Sequence, residues 1–198
     1  MNNVSLTYFV DFVLKSGTPK LTVVRDFKNR DAYDPQTDFY KPLREKLVES
    51  CRSGQPTSNL ETWAGTVHEK KKASYLAVVA GLKKFIGRKQ YTWFDPPKQN
   101  HAIGALTLNV NPELGLDIHG VHHVVKVYLK DDPPLTKPRI QIILHVMEQA
   151  LTDPSTPRTF AVLDARKGRL HTSGPQPTGI AALLAGEAAA FATMFAQV

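Results

Sequence analysis

The chain has 198 residues, 42% of them hydrophobic and 22% charged, which suits one domain of an ordinary globular protein, or one domain with a helical extension. Its single cysteine, Cys51, excludes an internal disulfide and points to a reducing, cytoplasmic setting. The formal net charge of +7 lies wholly in the first half: residues 1–100 carry 17 Lys and Arg against 10 Asp and Glu, while residues 101–198 carry 8 of each. Such asymmetry points to an anionic partner, DNA or RNA first, and equally to a solvated basic surface that aids solubility. No apolar run approaches the roughly 20 residues of a membrane span, so no membrane partner is expected. The start lacks a basic segment and holds Asp11 inside its apolar stretch, unlike a signal peptide.

Val4 to Lys15 reads as a helix, because Leu6, Phe9, Val10, Val13 and Leu14 fall on one face. Ser16-Gly17 ends it, and Thr18-Pro19 opens the next stretch. Lys20 to Lys28 is a second helix or a strand; its Leu21, Val23 and Val24 suit either. Two helices around a short turn invite a helix-turn-helix reading, against the plainer one of two helices packing together. Arg30 to Gln36 is a loop. Thr37 to Ser50 is helical, with Pro42 near its start, and Cys51 to Asn59 is a linker. The Cys51 thiol is read as structural and not as a catalytic nucleophile.

Leu60 to Arg88 contains the clearest helix, with an apolar stripe of Tyr75, Leu76, Val79, Leu82 and Ile86. Lys70, Lys71, Lys72, Lys83, Lys84 and Arg88 form the densest positive cluster in the chain. They suit a phosphate-contacting face or an ordinary lysine-coated helix. Tyr91, Trp93 and Phe94 follow, and offer stacking to bases or an aromatic piece of core. Pro96 to Gln99 ends this half, so residues 1–98 form a basic helical region and 99–198 a sheet-containing core, together one compact unit.

Ile103 to Val110 alternates as a strand. Next comes the stretch that organises the chain, Asn109 to Asp132. Leu114, Leu116 and Ile118 alternate, His119-Gly120 supplies a tight turn, and Val121 to Leu129 is rich in β-branched residues, the pattern of a β-hairpin. In that register Ile118 pairs with Val121, Asp117 with His122, Leu114 with Val125 and Glu113 with Lys126. One face is then nearly all apolar, and the other carries Glu113, Asp117, His122, Val124, Lys126, Tyr128 and Lys130. Asp131-Asp132-Pro133-Pro134 stops the strand. Thr136 caps a helix through Leu151, Thr159 to Asp164 is a buried strand, Arg169 to Thr172 returns as its partner, and an alanine-rich helix closes the chain from Thr178. The expected fold is α+β (mixed α/β): a helical N-terminal half, then a four- to five-stranded sheet flanked by helices.

Strand, acid-bearing hairpin, helix, strand and helix is an order that resembles the core of the PD-(D/E)XK nuclease-like superfamily, over roughly residues 101–172. The resemblance implies a divalent metal, Mg²⁺ or Mn²⁺, held by an acid on the second strand and an acid-x-lysine on the third. Asp117 matches the first acid, and Tyr128-Leu129-Lys130 matches the tripeptide, with Lys130 as its lysine. Tyr128 departs from the pattern, since a phenol is a poor ligand for a hard cation. Glu113 shares the face and would supply the missing acid. Apart from the family, Asp117 and Glu113 with Lys126 and Lys130 are the residue types of a metal-assisted phosphodiester site, and also those of a solvated cross-strand ion pair.

His119, His122 and His123 lack a zinc-site spacing, and no P-loop, G-x-G-x-x-G or G-x-S-x-G pattern occurs. The expectation is therefore a nucleic-acid-associated protein with a degenerate nuclease-like core. The alternative is a non-catalytic interaction or assembly module, self-associating through the closing helix or a sheet edge.

Overall fold

The computed structural model describes residues 3–29, 38–87 and 89–198. The expected loop Arg30 to Gln36 lies outside these residues, as do Thr37 and Arg88. In chain order the elements are β1 (Val4–Ser5), α1 (Leu6–Val13), α2 (Thr18–Lys28), α3 (Lys41–Ser53), α4 (Thr57–Thr66), α5 (Glu69–Ile86), β2 (Tyr91–Trp93), β3 (Gln99–Ile103), β4 (Leu106–Val110), β5 (Leu114–Ile118), β6 (Val121–Tyr128), α6 (Lys137–Leu151), β7 (Thr159–Asp164), β8 (Arg169–Thr172) and α7 (Ile180–Gln197).

The centre is a five-stranded mixed sheet in the order β2-β5-β6-β7-β8. The hairpin adopts the expected register, with Leu114 opposite Val125, Asp117 opposite His122 and Ile118 opposite Val121. His119 and Gly120 both take positive φ, 55° and 80°, the handedness a two-residue turn needs to match strand twist. Helix α6 then carries the chain over to β7, which runs parallel to β6, as a parallel connection requires. β6 is therefore a central strand covered on both sides: Val124 and Tyr128 enter one core, Val125 and Val127 the other. Burial on both faces accounts for its nearly unbroken β-branched run.

The fold is α+β, but its strands fall into two sheets. β4 pairs with β3 and with β1 in a separate three-stranded sheet. The chain reverses at Gly104, with φ of 58°, so the segment around Ile103 is half a hairpin and not the start of one longer strand. The outer neighbour of β5 is β2, Tyr91-Thr92-Trp93, a strand too short to show a period.

Two hydrophobic cores flank the large sheet. On one side α1, α2, α6, α7 and β4 cover Val124, Tyr128, Phe160 and Val162. On the other, α3, α4 and α5 cover Leu114, Leu116, Val125, Val127 and Leu163. Lys20 to Lys28 is helical, with Val23 and Val24 buried. The stretch from Leu60 to Arg88 is interrupted: α4 begins at Thr57, inside the expected linker, and α5 starts afresh after His68, whose Nδ1 accepts the Lys70 N–H at 3.2 Å. About two-thirds of the way along α5, Gly81 meets the β7–β8 turn so closely that a Cβ there would lie 2.0 Å from the Ala165 carbonyl oxygen. The basic helix is thus seated on the sheet by direct backbone contact.

Contrary to the expectation that no apolar run approaches a membrane span, α7 is, among the described residues, the one helix long and apolar enough, by length and composition, to cross a membrane, with Glu187 its single charge. Here it packs through Ile180, Leu184, Ala188 and Phe191 onto the first core. Phe191 is fully buried between Phe12 and Phe27, so it belongs to the core and not to an association face.

Candidate functional site

The hairpin brings together some of the expected site residues and separates others. β6 extends beyond β5, whose approach is closed by Pro112. Where the neighbouring strand gives out, Glu113 substitutes for it: Oε2 accepts the Val127 N–H at 2.8 Å and Oε1 accepts from Lys126 Nζ at 2.6 Å. Lys126 also donates to the Asn111 carbonyl at 3.0 Å. The Glu113 and Lys126 side chains are only 11% and 14% exposed, so this cross-strand pair is partly buried, not a freely solvated one. Removing either partner would strand the other charge.

Asp117 works at the opposite end of β5. Its Oδ1 accepts the Gly120 N–H at 2.8 Å, fixing the turn, and Oδ2 lies 3.5 Å from His122 Nε2. Lys130, past the end of β6, faces a different partner: its Nζ lies 3.2 Å from Asp11 Oδ2. Asp11 also binds Arg139, whose guanidinium lies 5.7 Å from the centroid of the Tyr128 ring. The Tyr128 hydroxyl donates to the Pro133 carbonyl at 2.5 Å, and burial pushes its pKa up. Asp11, Lys130, Arg139 and Tyr128 thus tie α1, β6 and α6 together. One sign of this knot is visible in the sequence, the lone acid Asp11 inside the apolar stretch of α1.

These donors do not fit one divalent cation. A hard cation takes six or more oxygens at short range, whereas the two carboxylates sit four residues apart along a strand, roughly 13 Å at the usual rise. Among the described residues no three His, Cys, Asp or Glu side chains gather as a metal site. Glu113 and Lys126 meet; Asp117 and Lys130 each stand with other partners.

The lysine cluster gives a more coherent surface. At 100° per residue, Lys70, Lys72, Lys83 and Lys84 fall on one half of α5, opposite the buried Tyr75, Val78, Val79, Leu82 and Phe85. Lys70, Lys83 and Lys84 are exposed and Lys72 half-buried. Lys71 points elsewhere, 5.5 Å from the centroid of the Phe39 ring. Lys72 pairs with Glu69 and Lys83 with Glu61, both in solvent, while Lys70 and Lys84 have no ion partner among the described residues. Arg88 lies outside these residues. The remaining lysines extend for about 21 Å along the helix.

Beside the C-terminal end of α5 lie two neighbouring grooves. One, of about 390 Å³, is lined by Lys84, Phe85, Lys89, Ile118, His123, Lys167, Gly168, Arg169 and Leu170. The other, of about 470 Å³, runs past Lys83, Lys89 and Tyr91 toward the start of α4. Lys89 belongs to both. Of the three aromatic residues considered for stacking, Tyr91 borders this second groove, Trp93 lies against Arg52 and Phe94 against His122. Compared with known protein families, curated proteins and solved structures, the chain matches none.

Proposed function

We propose that the protein associates with nucleic acid, DNA or RNA, through the exposed face of α5, on a core that is nuclease-like in element order and degenerate at its acids. The observation that carries this is the alignment of Lys70, Lys72, Lys83 and Lys84 on one solvent-facing half of a helix whose other half is core. Lysines spaced over about 21 Å can neutralise several phosphates of one backbone at once. The partly buried Glu113–Lys126 pair holds the end of the hairpin, and Asp117 holds its turn; neither acid needs a metal for that. A cytoplasmic setting belongs to the same proposal, supported by the single, buried cysteine.

The test is a salt titration of binding to a labelled oligonucleotide. Wild-type affinity should fall steeply with salt, and the Lys70→Glu/Lys72→Glu/Lys84→Glu variant should bind at least ~10-fold more weakly with a shallower salt slope. Unchanged affinity in a folded triple variant would remove α5 as the interface. Mg²⁺- or Mn²⁺-dependent cleavage abolished by Asp117→Ala would overturn the degenerate assignment in favour of hydrolysis.

A second reading, self-association through α7, is favoured by one observation. Leu183 is 52% exposed, and the surrounding solvent-facing positions Ala181, Ala182, Ala185, Gly186 and Ala189 carry no charge.

A further inference from the structure

The groove between α5 and the β7–β8 turn has two chemistries in one place. Its floor is apolar, made by Ile118 of the hairpin tip, Leu170 of β8 and the edge of Phe85. Its rim carries Lys84, Lys89, Lys167 and Arg169, all exposed, and none of the described lining residues is acidic. Lys167 lies 3.3 Å from Asp164, behind the rim. Lys89 donates to the Phe85 carbonyl, which leaves its positive charge without a carboxylate. Lys84 and Arg169 have no ion partner among the described residues. His123 closes the far end, with Nδ1 held against the Val121 carbonyl at 2.8 Å.

An apolar floor with a cationic rim suits a base and its phosphates. Each groove has the volume of one small-ligand site, and the two lie side by side, with Lys89 lining both. Tyr91, half-buried beside the second groove, is the aromatic side chain placed for stacking there, while Phe85 is buried beneath the Lys89 ammonium. A base paired inside a duplex keeps its faces stacked and its edge occupied, so it cannot reach this floor; an unpaired base can.

We propose that these grooves hold an unpaired nucleic-acid strand of at least two nucleotides, with bases over Ile118, Leu170 and Tyr91 and phosphates against Lys84, Lys89, Lys167 and Arg169. The inference rests on the nucleic-acid reading above and narrows it to single-stranded segments. Charge complementarity selects the occupant, because three of the four rim cations, Lys84, Lys89 and Arg169, have no carboxylate partner among the described residues.

The deciding experiment compares a labelled oligothymidylate with its duplex in fluorescence anisotropy, using the full chain at fixed salt. The single strand should bind at least ~10-fold more tightly than the duplex. Arg169→Glu should erase most of that preference and Ile118→Ser part of it, with unchanged circular dichroism. Lys70→Glu, at the far end of α5, should weaken both ligands by the same factor. Equal affinity for both ligands, or full single-strand preference in the Arg169→Glu variant, overturns the groove while leaving nucleic-acid binding in place. Failure to bind either ligand overturns both proposals.

Discussion

Helices α5 and α7 are each 18 residues long and each bury one stripe against the sheet assembly, yet their outer faces have opposite chemistry. α5 shows lysines to solvent, and two of them pair with glutamates of the same surface. α7 contains no lysine or arginine and a single acid, Glu187, which is turned to Lys20 of α2. Their attachment differs as well. α5 is pressed onto a turn at a glycine, whereas α7 is held by aromatic packing around Phe191 and by one half-buried ion pair. The contrast teaches that helical length and an apolar stripe say nothing about what a helix addresses. What differs is on the outer faces: exposed lysines on α5, and alanines with Leu183 on α7.

The most severe way to break this comparison is Gly81→Val. Its side chain would enter the space held by the Ala165 and Arg166 carbonyl oxygens, costing on the order of 3 kcal/mol. Urea unfolding should record this as a lower midpoint, and a midpoint within error of wild type would refute the close seating of α5. Glu187→Gln comes next. It leaves the Lys20 ammonium, only 14% exposed and lying over Phe12, without its counter-charge, a loss of about 1–2 kcal/mol for a partly buried pair. Nucleic-acid affinity should not change, because α7 lies with the opposite core. The smallest effect on stability belongs to Leu183→Asp, within about 0.5 kcal/mol for an exposed position. The same substitution should abolish any concentration-dependent association seen by sedimentation. Association that survives it would place the contact elsewhere.

What the sequence disclosed follows from the range of each interaction. The hairpin was legible down to its register, because alternation and a His-Gly turn are local signals that must agree with one another. The lysine face of α5 was legible for the same reason, as spacing along one helix. The division into two sheets was not, since β3 is largely polar, Gln99-Asn100-His101, and the pairing of β4 with β1 joins residues far apart in the chain. The Asp11–Lys130–Arg139 knot was hidden because its members lie 119 and 128 residues apart. Glu113 and Lys126 were correctly paired, but their burial depends on how helices cover the sheet, which no hairpin pattern contains. The grooves beside α5 were invisible as well, because hairpin tip, helix end and β7–β8 turn come together only in the folded chain.

Cys51 has a practical consequence. Its thiol is 1% exposed, and burial, partly offset by a hydrogen bond with Tyr91, pushes its pKa up to about 12. Maleimides and disulfide reagents attack thiolates that they can reach, so the native protein should be silent to them. A cysteine placed at Lys84 or Arg169 could then be modified alone, giving a fluorescent reporter at the groove without first engineering away the natural residue.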